Sequence, residues 1–199
     1  MKLKNNISFD GIIKSFEEKY GRKYTENQLK QLRLGYEHNV NILIYSHPQF
    51  SGFEMQEIRL GLENNIDVTQ YVYWNFDCVQ MQEIRLGLES GIDVSHYAKI
   101  SFNADKMCVI KSGLERGLDV SVYAKTTLTA SQMHALRDGL ILGFDMKPYA
   151  KAKLDVLAIR EEIERLMKES NFDLVRRQKY HRYVSNIYLP LKAKLDLQF

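Results

Sequence analysis

The sequence contains few of the residues that usually mark catalysis, metal binding or membrane insertion. Among its 199 residues only two are cysteine, Cys78 and Cys108, and only one is tryptophan, Trp74. The two cysteines lack the spacing of a metal site, which predicts reduced, buried or half-buried thiols in a cytoplasmic protein. No apolar run is long enough to span a bilayer or to act as a signal peptide, so no membrane partner is expected.

Catalytic and nucleotide-binding motifs are also missing. No GxSxG, P-loop, HExxH or CxxC occurs in the chain. The five histidines have no cysteine or carboxylate partner at catalytic or metal-ligand spacing. The sequence therefore predicts a protein that is not an enzyme and that needs no cofactor and no metal.

Charge is unevenly distributed, although the net value is only +3. Residues 25–146 carry ten Lys/Arg and fifteen acids, whereas residues 147–199 carry twelve and seven. Residues 1–24 are basic as well, with six Lys/Arg and three acids. An acidic middle between basic ends argues against a uniformly basic groove for nucleic acid.

What the chain does contain is an internal repeat of 26 residues. A glycine, a tyrosine and a basic residue each recur at this interval in five consecutive copies: Gly35, Gly61, Gly87, Gly113 and Gly139; Tyr45, Tyr71, Tyr97, Tyr123 and Tyr149; Arg33, Arg59, Arg85, Lys111 and Arg137. One such unit cannot bury its own apolar face, so consecutive units are expected to stack. The prediction is an all-α fold, an α-solenoid of five 26-residue repeats, each with a long and a short helix.

The expected domain organisation follows from the repeat. Residues 1–24 hold an N-terminal capping helix, and residues 25–154 hold the five repeats. The repeat boundaries are 25–50, 51–76, 77–102, 103–128 and 129–154. Residues 155–199 are predicted to form a degenerate sixth repeat and the C-terminal cap.

Helix boundaries are marked by capping residues at constant positions. The predicted N-caps are Thr25, Ser51, Asp77, Asn103, Thr129 and Asp155, and the predicted left-handed C-terminal residues are Asn39, Asn65, Gly91, Gly117 and Gly143. Gln28, Glu54, Gln80 and Gln132 complete capping boxes. A second set, Asn41, Asp67, Asp93, Asp119 and Asp145, is predicted to cap the short helices.

The basic and tyrosine positions each allow two interpretations. Evenly spaced cations could follow a phosphate backbone, but a glutamate four residues later would neutralise most of them. The favoured interpretation is a structural ladder, in which each cation bonds the neighbouring repeat's aspartate or helix C-terminus. The tyrosines are interpreted as packing residues whose hydroxyls lie at the rim, with stacking on nucleic-acid bases as the alternative.

Two segments depart from the repeat consensus and are the candidate binding sites. In the second copy Tyr73 and Trp74 replace a small or basic pair, and with Phe53 and Val79 they are predicted to form a protein-binding cluster. The alternative is that the rings fill space in the core.

The second candidate is a basic segment in which cations alternate with aromatic residues. Its residues are Arg176, Arg177, Lys179, Tyr180, Arg182 and Tyr183. This composition suits single-stranded nucleic acid, because rings stack on bases and cations meet phosphates. An ordinary capping helix with solvated cations explains the same composition.

The best-preserved copy, Gln80 to Ala98, resembles short helical repeats in proteins of phages and conjugative elements of Gram-positive bacteria. The resemblance covers residues 25–154 and includes no catalytic residue. It implies a non-catalytic protein that binds another protein or protein complex, such as an inhibitor of a bacterial defence complex of the CRISPR-nuclease kind. A nucleic-acid-binding module that uses the basic C-terminal segment is the alternative. Neither the resemblance nor the sequence indicates an oligomeric state.

Overall fold

The structure is a computed structural model that describes residues 8–72, 75–151 and 153–170, and these residues form helices and no β-strand. The chain divides into two compact units between Met133 and His134. The α-helices are α1 Phe9–Tyr20, α2 Glu26–Glu37, α3 Gly52–Glu63, α4 Cys78–Glu89, α5 Ala104–Leu114, α6 Ala130–Ile141, α7 Lys147–Lys151 and α8 Val156–Glu169. Four 3₁₀-helices lie between the consecutive α-helices from α2 to α6: η1 Ile42–Ile44, η2 Val68–Gln70, η3 Val94–His96 and η4 Val120–Val122. The prediction of an all-α fold is therefore confirmed for the described residues.

The long helices begin where the capping residues predict. The side chain of Ser51 accepts a hydrogen bond from the Glu54 amide, and the Glu54 carboxylate accepts one from the Ser51 amide. The same reciprocal pair forms at Thr25, Asp77 and Thr129. These bonds satisfy two of the amides that a helix N-terminus leaves unpaired. The four predicted capping boxes are confirmed.

The helices also end as predicted. Gly91 has φ +70° and Asn65 has φ +57°, so both adopt the left-handed conformation that closes a helix. The amide that follows each of them donates to a glycine carbonyl five residues back, as from Ile92 to Gly87 at 2.9 Å. The other three positions have the same geometry: Asn39, Gly117 and Gly143. This pattern is the Schellman motif, which satisfies carbonyls at the helix end.

The short helix of each repeat is a single 3₁₀ turn in the first four copies. Asp93, for example, accepts a bond from the Ser95 amide at 3.0 Å and caps η3. Asn41, in the first copy, caps η1 in the same way, so the apolar residues Ile42–Ile44 form a 3₁₀ turn. In the last copy the corresponding segment is the α-helix α7.

Helices α2 to α5 lie side by side and point in the same direction. At their N-terminal ends, the side-chain amide of Gln28 on α2 donates to the Phe50 carbonyl, just before α3, at 2.6 Å. At their C-terminal ends, His38 and Glu63 join α2 to α3 at 2.7 Å. The pair α4 and α5 repeats the N-terminal contact between Gln80 and the Phe102 carbonyl at 2.7 Å. Because neighbouring helices touch start to start and end to end, their N-termini share one edge.

In the first four copies the tyrosine hydroxyls are buried, so the predicted position at the rim is wrong for them. Tyr71 is fully buried, and its hydroxyl donates to the carbonyl of Glu57 at 3.1 Å. Tyr45, Tyr97 and Tyr123 have the same burial and bond a carbonyl fourteen residues earlier. The hydroxyl reaches that carbonyl only because Gly61 lacks a side chain on the facing helix. This close approach explains why glycine and tyrosine recur together.

The fifth copy does not follow this arrangement. Gly139 is faced by the sulfur of Met146, which is fully buried. The hydroxyl of Tyr149 instead accepts a hydrogen bond from Arg165 at 3.2 Å. Tyr149 is half-buried and its hydroxyl is exposed, so the predicted position at the rim is confirmed for this copy, while methionine occupies the space against the glycine.

The predicted N-terminal capping helix is present as α1. Its apolar positions Phe9, Ile13 and Phe16 are buried. The ring of Phe9 lies 5.6 Å from that of Tyr36 on α2 and 4.5 Å from the guanidinium of Arg33. Helix α1 thus contacts α2 at Arg33 and Tyr36.

Candidate protein-binding surface

Two of the four residues of the predicted aromatic cluster are described, and both are exposed. Phe53 is 62% exposed and Val79 is 50% exposed, and each is the second residue of its helix, α3 or α4. The other two residues, Tyr73 and Trp74, lie outside the described residues. The shared edge formed by the helix N-termini therefore carries apolar side chains in solvent.

The second helical position shows that this exposure is not required by stacking. The equivalent residues in other copies are polar: Asn27 on α2, Asp105 on α5 and Ser131 on α6. Since the same backbone position accepts polar residues, Phe53 and Val79 are not needed to hold the helices together. Apolar side chains that lie exposed along one shared edge, where packing does not require them, form a candidate contact surface.

Sequence reasoning missed a third apolar residue near this edge. Ile100 is 58% exposed and precedes α5 by four residues. Phe102, two residues later, accepts the hydrogen bond from Gln80 at the start of α4. Ile100 occupies the repeat position of Trp74, so comparison of the copies at this position could have identified it. We call Phe53, Val79 and Ile100 the apolar edge.

The basic residues of the second candidate site lie outside the described residues: Arg176, Arg177, Lys179, Tyr180, Arg182 and Tyr183. The structure therefore describes no candidate nucleic-acid site at this segment.

The repeated cations are structural, as favoured above, but their partners differ from those predicted. Arg85 Nε lies 2.8 Å from Glu57 Oε2 on the preceding helix, and Arg85 Nη1 lies 2.7 Å from Glu89 Oε1 on its own helix. Lys111 Nζ lies 2.8 Å from Glu83 Oε2 in the same way. At these two positions the cation bonds a glutamate 28 residues earlier, whereas Arg33 and Arg137 do pair with aspartates, Asp10 and Asp138. At Arg85 and Lys111 the cation reaches side chains of the neighbouring helix and not a helix end, because its position lies in the middle of its own helix.

We call the packed surface between two neighbouring helices a seam. In the seam between α2 and α3, the partner of the arginine on the preceding helix is a neutral glutamine. Arg59 Nε donates to Gln31 Oε1 at 3.0 Å, and Arg59 Nη1 donates to Glu63 Oε1 at 2.5 Å. The side chains of Arg59 and Arg85 are each 9% exposed. Cations that are this buried and this well paired are not available to bind a phosphate backbone.

The ion pairs shift the pKa values of their members. Burial raises the pKa of Glu63, but hydrogen bonds from Arg59 and His38 outweigh it and the net pKa is lowered. Burial lowers the pKa of Arg85, but its bonds to Glu89 and Glu57 outweigh it and the net pKa is raised. Both shifts favour the charged forms, so the network persists at neutral pH.

The cysteines differ from the prediction in one respect. Cys78 is half-buried, and burial raises the pKa of its thiol. Cys108 is exposed, so the prediction of two buried or half-buried thiols is wrong for this residue. Its position lies on the solvent side of α5, which sequence spacing alone did not reveal.

Metal sites and membrane-spanning helices are absent from the described part of the chain. No group of three or more His, Cys, Asp or Glu side chains there could hold a metal ion. No helix there is long and apolar enough to cross a membrane. No protein-family model, curated protein or solved structure matches this sequence.

Proposed function

We propose that this protein is a non-catalytic α-solenoid of five 26-residue repeats that binds another protein through its apolar edge. In line with the resemblance of residues 25–154, the partner is a bacterial defence complex of the CRISPR-nuclease kind, which the protein inhibits by occupying a surface of it. The stacked helices act as a rigid support, and the residues that stacking does not require make the contact.

The exposure of Phe53 and Val79 is the observation that carries this proposal. Each is at least half exposed, at a helical position where other copies have Asn27, Asp105 or Ser131. Large apolar side chains anchor protein interfaces when they enter a pocket on the partner. Trp74 and Tyr73 belong to the same sequence cluster and are included in the proposed site.

A nucleic-acid-binding module is less well supported by the described residues. Three cations of the repeat are already paired with acidic side chains on their own or the preceding helix: Arg59, Arg85 and Lys111. Only the basic segment from Arg176 to Tyr183 remains as the sequence-based argument for this alternative.

The test combines an interference assay with direct binding. Bacteria that carry a CRISPR nuclease are transformed with a targeted plasmid, with and without expression of this protein, and inhibition raises the number of transformants. Binding to the purified nuclease complex is then measured by calorimetry. The variant Phe53→Asn with Val79→Asp copies residues already present at this position in α2 and α5, so it should fold normally. We expect it to weaken binding by about tenfold or more, roughly 1.4 kcal/mol.

The matched control is Leu43→Ser. Leu43 lies on η1, is 54% exposed, and corresponds to Ser95 and Ser121 in later copies. It removes an exposed apolar residue outside the apolar edge and should leave binding unchanged. Affinity for single-stranded nucleic acid that falls steeply with salt and disappears in Arg176→Gln with Arg177→Gln would favour the alternative.

A further inference from the structure

A histidine side chain closes the C-terminal end of the seam between α2 and α3. His38 Nδ1 lies 2.7 Å from Glu63 Oε1, which also accepts the bond from Arg59. The His38 side chain is 50% exposed, whereas Glu63 is 19% exposed. The carboxylate is therefore held inside the seam, and the imidazole reaches it from the solvent side.

The next seam has the same construction with a donor that does not titrate. Asn64 Nδ2 donates to Glu89 Oε1 at 2.8 Å, and Glu89 also accepts the bond from Arg85. Asn64 follows His38 by one repeat, and Glu89 follows Glu63 by one repeat. The two seams thus differ at this point only in whether the donor is histidine or asparagine.

His38 is the histidine at this seam among the described residues, and histidine is the side-chain type that changes charge near neutral pH. Hydrogen bonds keep the pKa of Glu63 below its usual value despite burial, so it stays ionised at neutral and mildly acidic pH. A guanidinium such as that of Arg59 stays protonated at all relevant pH values. Two other polar groups lie on α2, the neutral Gln31 and the carboxylate Glu37. Helix η1 is apolar, and Asp10 on α1 faces Arg33.

Protonation changes the strength of the bond between His38 and Glu63. A neutral imidazole can donate from Nδ1 to the carboxylate, and an imidazolium adds to this bond the attraction between two opposite charges. Histidine is the side chain whose ordinary pKa, about 6.5, lies in the physiological range. The stronger bond is therefore present when the imidazole is protonated and is lost when it becomes neutral.

We propose that the end of the seam between α2 and α3 is a pH-responsive clasp, in which protonated His38 holds the ends of the two helices together and neutral His38 releases them more readily. The seam between α3 and α4, which uses Asn64, does not respond. The inference is independent of the partner that the protein binds.

Hydrogen exchange of individual amides tests the clasp locally, which matters because four other histidines contribute to any global pH dependence. The amides of Val40 and Ile66 are equivalent, since each donates to a glycine carbonyl at a helix end, at 3.0 and 2.8 Å. We expect the protection factor of Val40 to be about two- to fivefold higher at pH 5.5 than at pH 8. The protection factor of Ile66 should not change.

Two variants test the proposal by placing asparagine in the seam between α2 and α3 and histidine in the seam between α3 and α4. His38→Asn reproduces the next seam and should abolish the pH response at Val40 without lowering its protection at pH 8. Asn64→His should transfer the response to Ile66. Equal protection of Val40 at both pH values, or a response that persists in His38→Asn, would overturn the proposal.

Discussion

The hydroxyl of Tyr71 occupies the space in which a side chain on Gly61 would lie. A Cβ atom on Gly61 would overlap the hydroxyl oxygen and would lie 2.9 Å from Val68 Cγ1. The ring is fully buried, and burial raises the pKa of Tyr71, so the hydroxyl remains protonated and donates to the Glu57 carbonyl.

This contact predicts an unusual result for Gly61→Ala. In most helix interiors alanine is more stable than glycine by roughly 0.5–1 kcal/mol. Here we expect Gly61→Ala to be destabilising by about 1–3 kcal/mol, because the new methyl group displaces the tyrosine. Urea denaturation measures the change. Tyr71→Phe removes the overlapping oxygen, so the double variant should lose less stability than the two single variants together; strict additivity would contradict the contact.

The left-handed residues at the helix ends predict a second set of stability changes. Gly91 has φ +70°, and a Cβ atom on it would meet no other atom within 4 Å, so only backbone conformation limits substitution. Gly91→Val should destabilise the protein by about 1–2 kcal/mol, because a β-branched residue is poorly tolerated there. Thermal or urea unfolding measures the loss. Asn65→Gly is the control, because it places the preferred residue at the equivalent turn and should not be destabilising.

The buried ion pair between Arg85 and Glu57 predicts an asymmetric response to its two partners. Arg85→Ala leaves a carboxylate that is 8% exposed without its cation, so a loss of about 3 kcal/mol is expected. Glu57→Gln should cost much less, because the preceding seam already pairs Arg59 with Gln31. Unfolding of both variants at pH 7 gives the comparison. Equal losses of stability in the two variants would contradict this expectation, because they would show that Arg85 needs a charged partner and not only a hydrogen-bond acceptor.

The lowered pKa values of Glu63 and Glu89 predict loss of stability in acid. For each, burial raises the pKa, but hydrogen bonds outweigh it: those from Arg59 and His38 at Glu63, and those from Asn64 and Arg85 at Glu89. A carboxyl whose pKa is lower in the folded state stabilises above its unfolded pKa, about 4.3, and this contribution is lost as the pH falls.

Urea unfolding at pH 6 and pH 3 measures this loss. The variant with both Glu63→Gln and Glu89→Gln should show a smaller difference between the two pH values than the unchanged protein. Glu37→Gln removes an exposed glutamate at the end of α2 and serves as the control, with the difference unchanged.

Trp74→Ala distinguishes the two interpretations of the sequence cluster. If Trp74 anchors a partner, the substitution should weaken binding by about 2 kcal/mol and leave the melting temperature nearly unchanged. If the ring fills the core, stability should fall by about 3–5 kcal/mol instead. Calorimetry with the partner and thermal unfolding of the same variant decide between the two.

Local structure was predictable because it depends on residues close in sequence. A capping box such as Ser51 with Glu54, or a left-handed stop such as Gly91, joins groups within a few residues. The short-range geometry of these motifs is nearly the same in every context. The positions of the long helices, the 3₁₀ turns and the helical cap α1 could therefore be read from the chain.

Only the tertiary structure decided what the repeated residues contact. Gly61 and Tyr71 recur together in the sequence, but their overlap depends on how a 3₁₀ turn folds back onto its helix. The partner of Arg85, 28 residues away, and the bond from His38 to Glu63 depend on the alignment of neighbouring helices. A periodic sequence determines that equivalent residues have equivalent surroundings. The packing of one helix on the next determines which atoms those surroundings contain, because contacts across a seam join residues that no local motif connects.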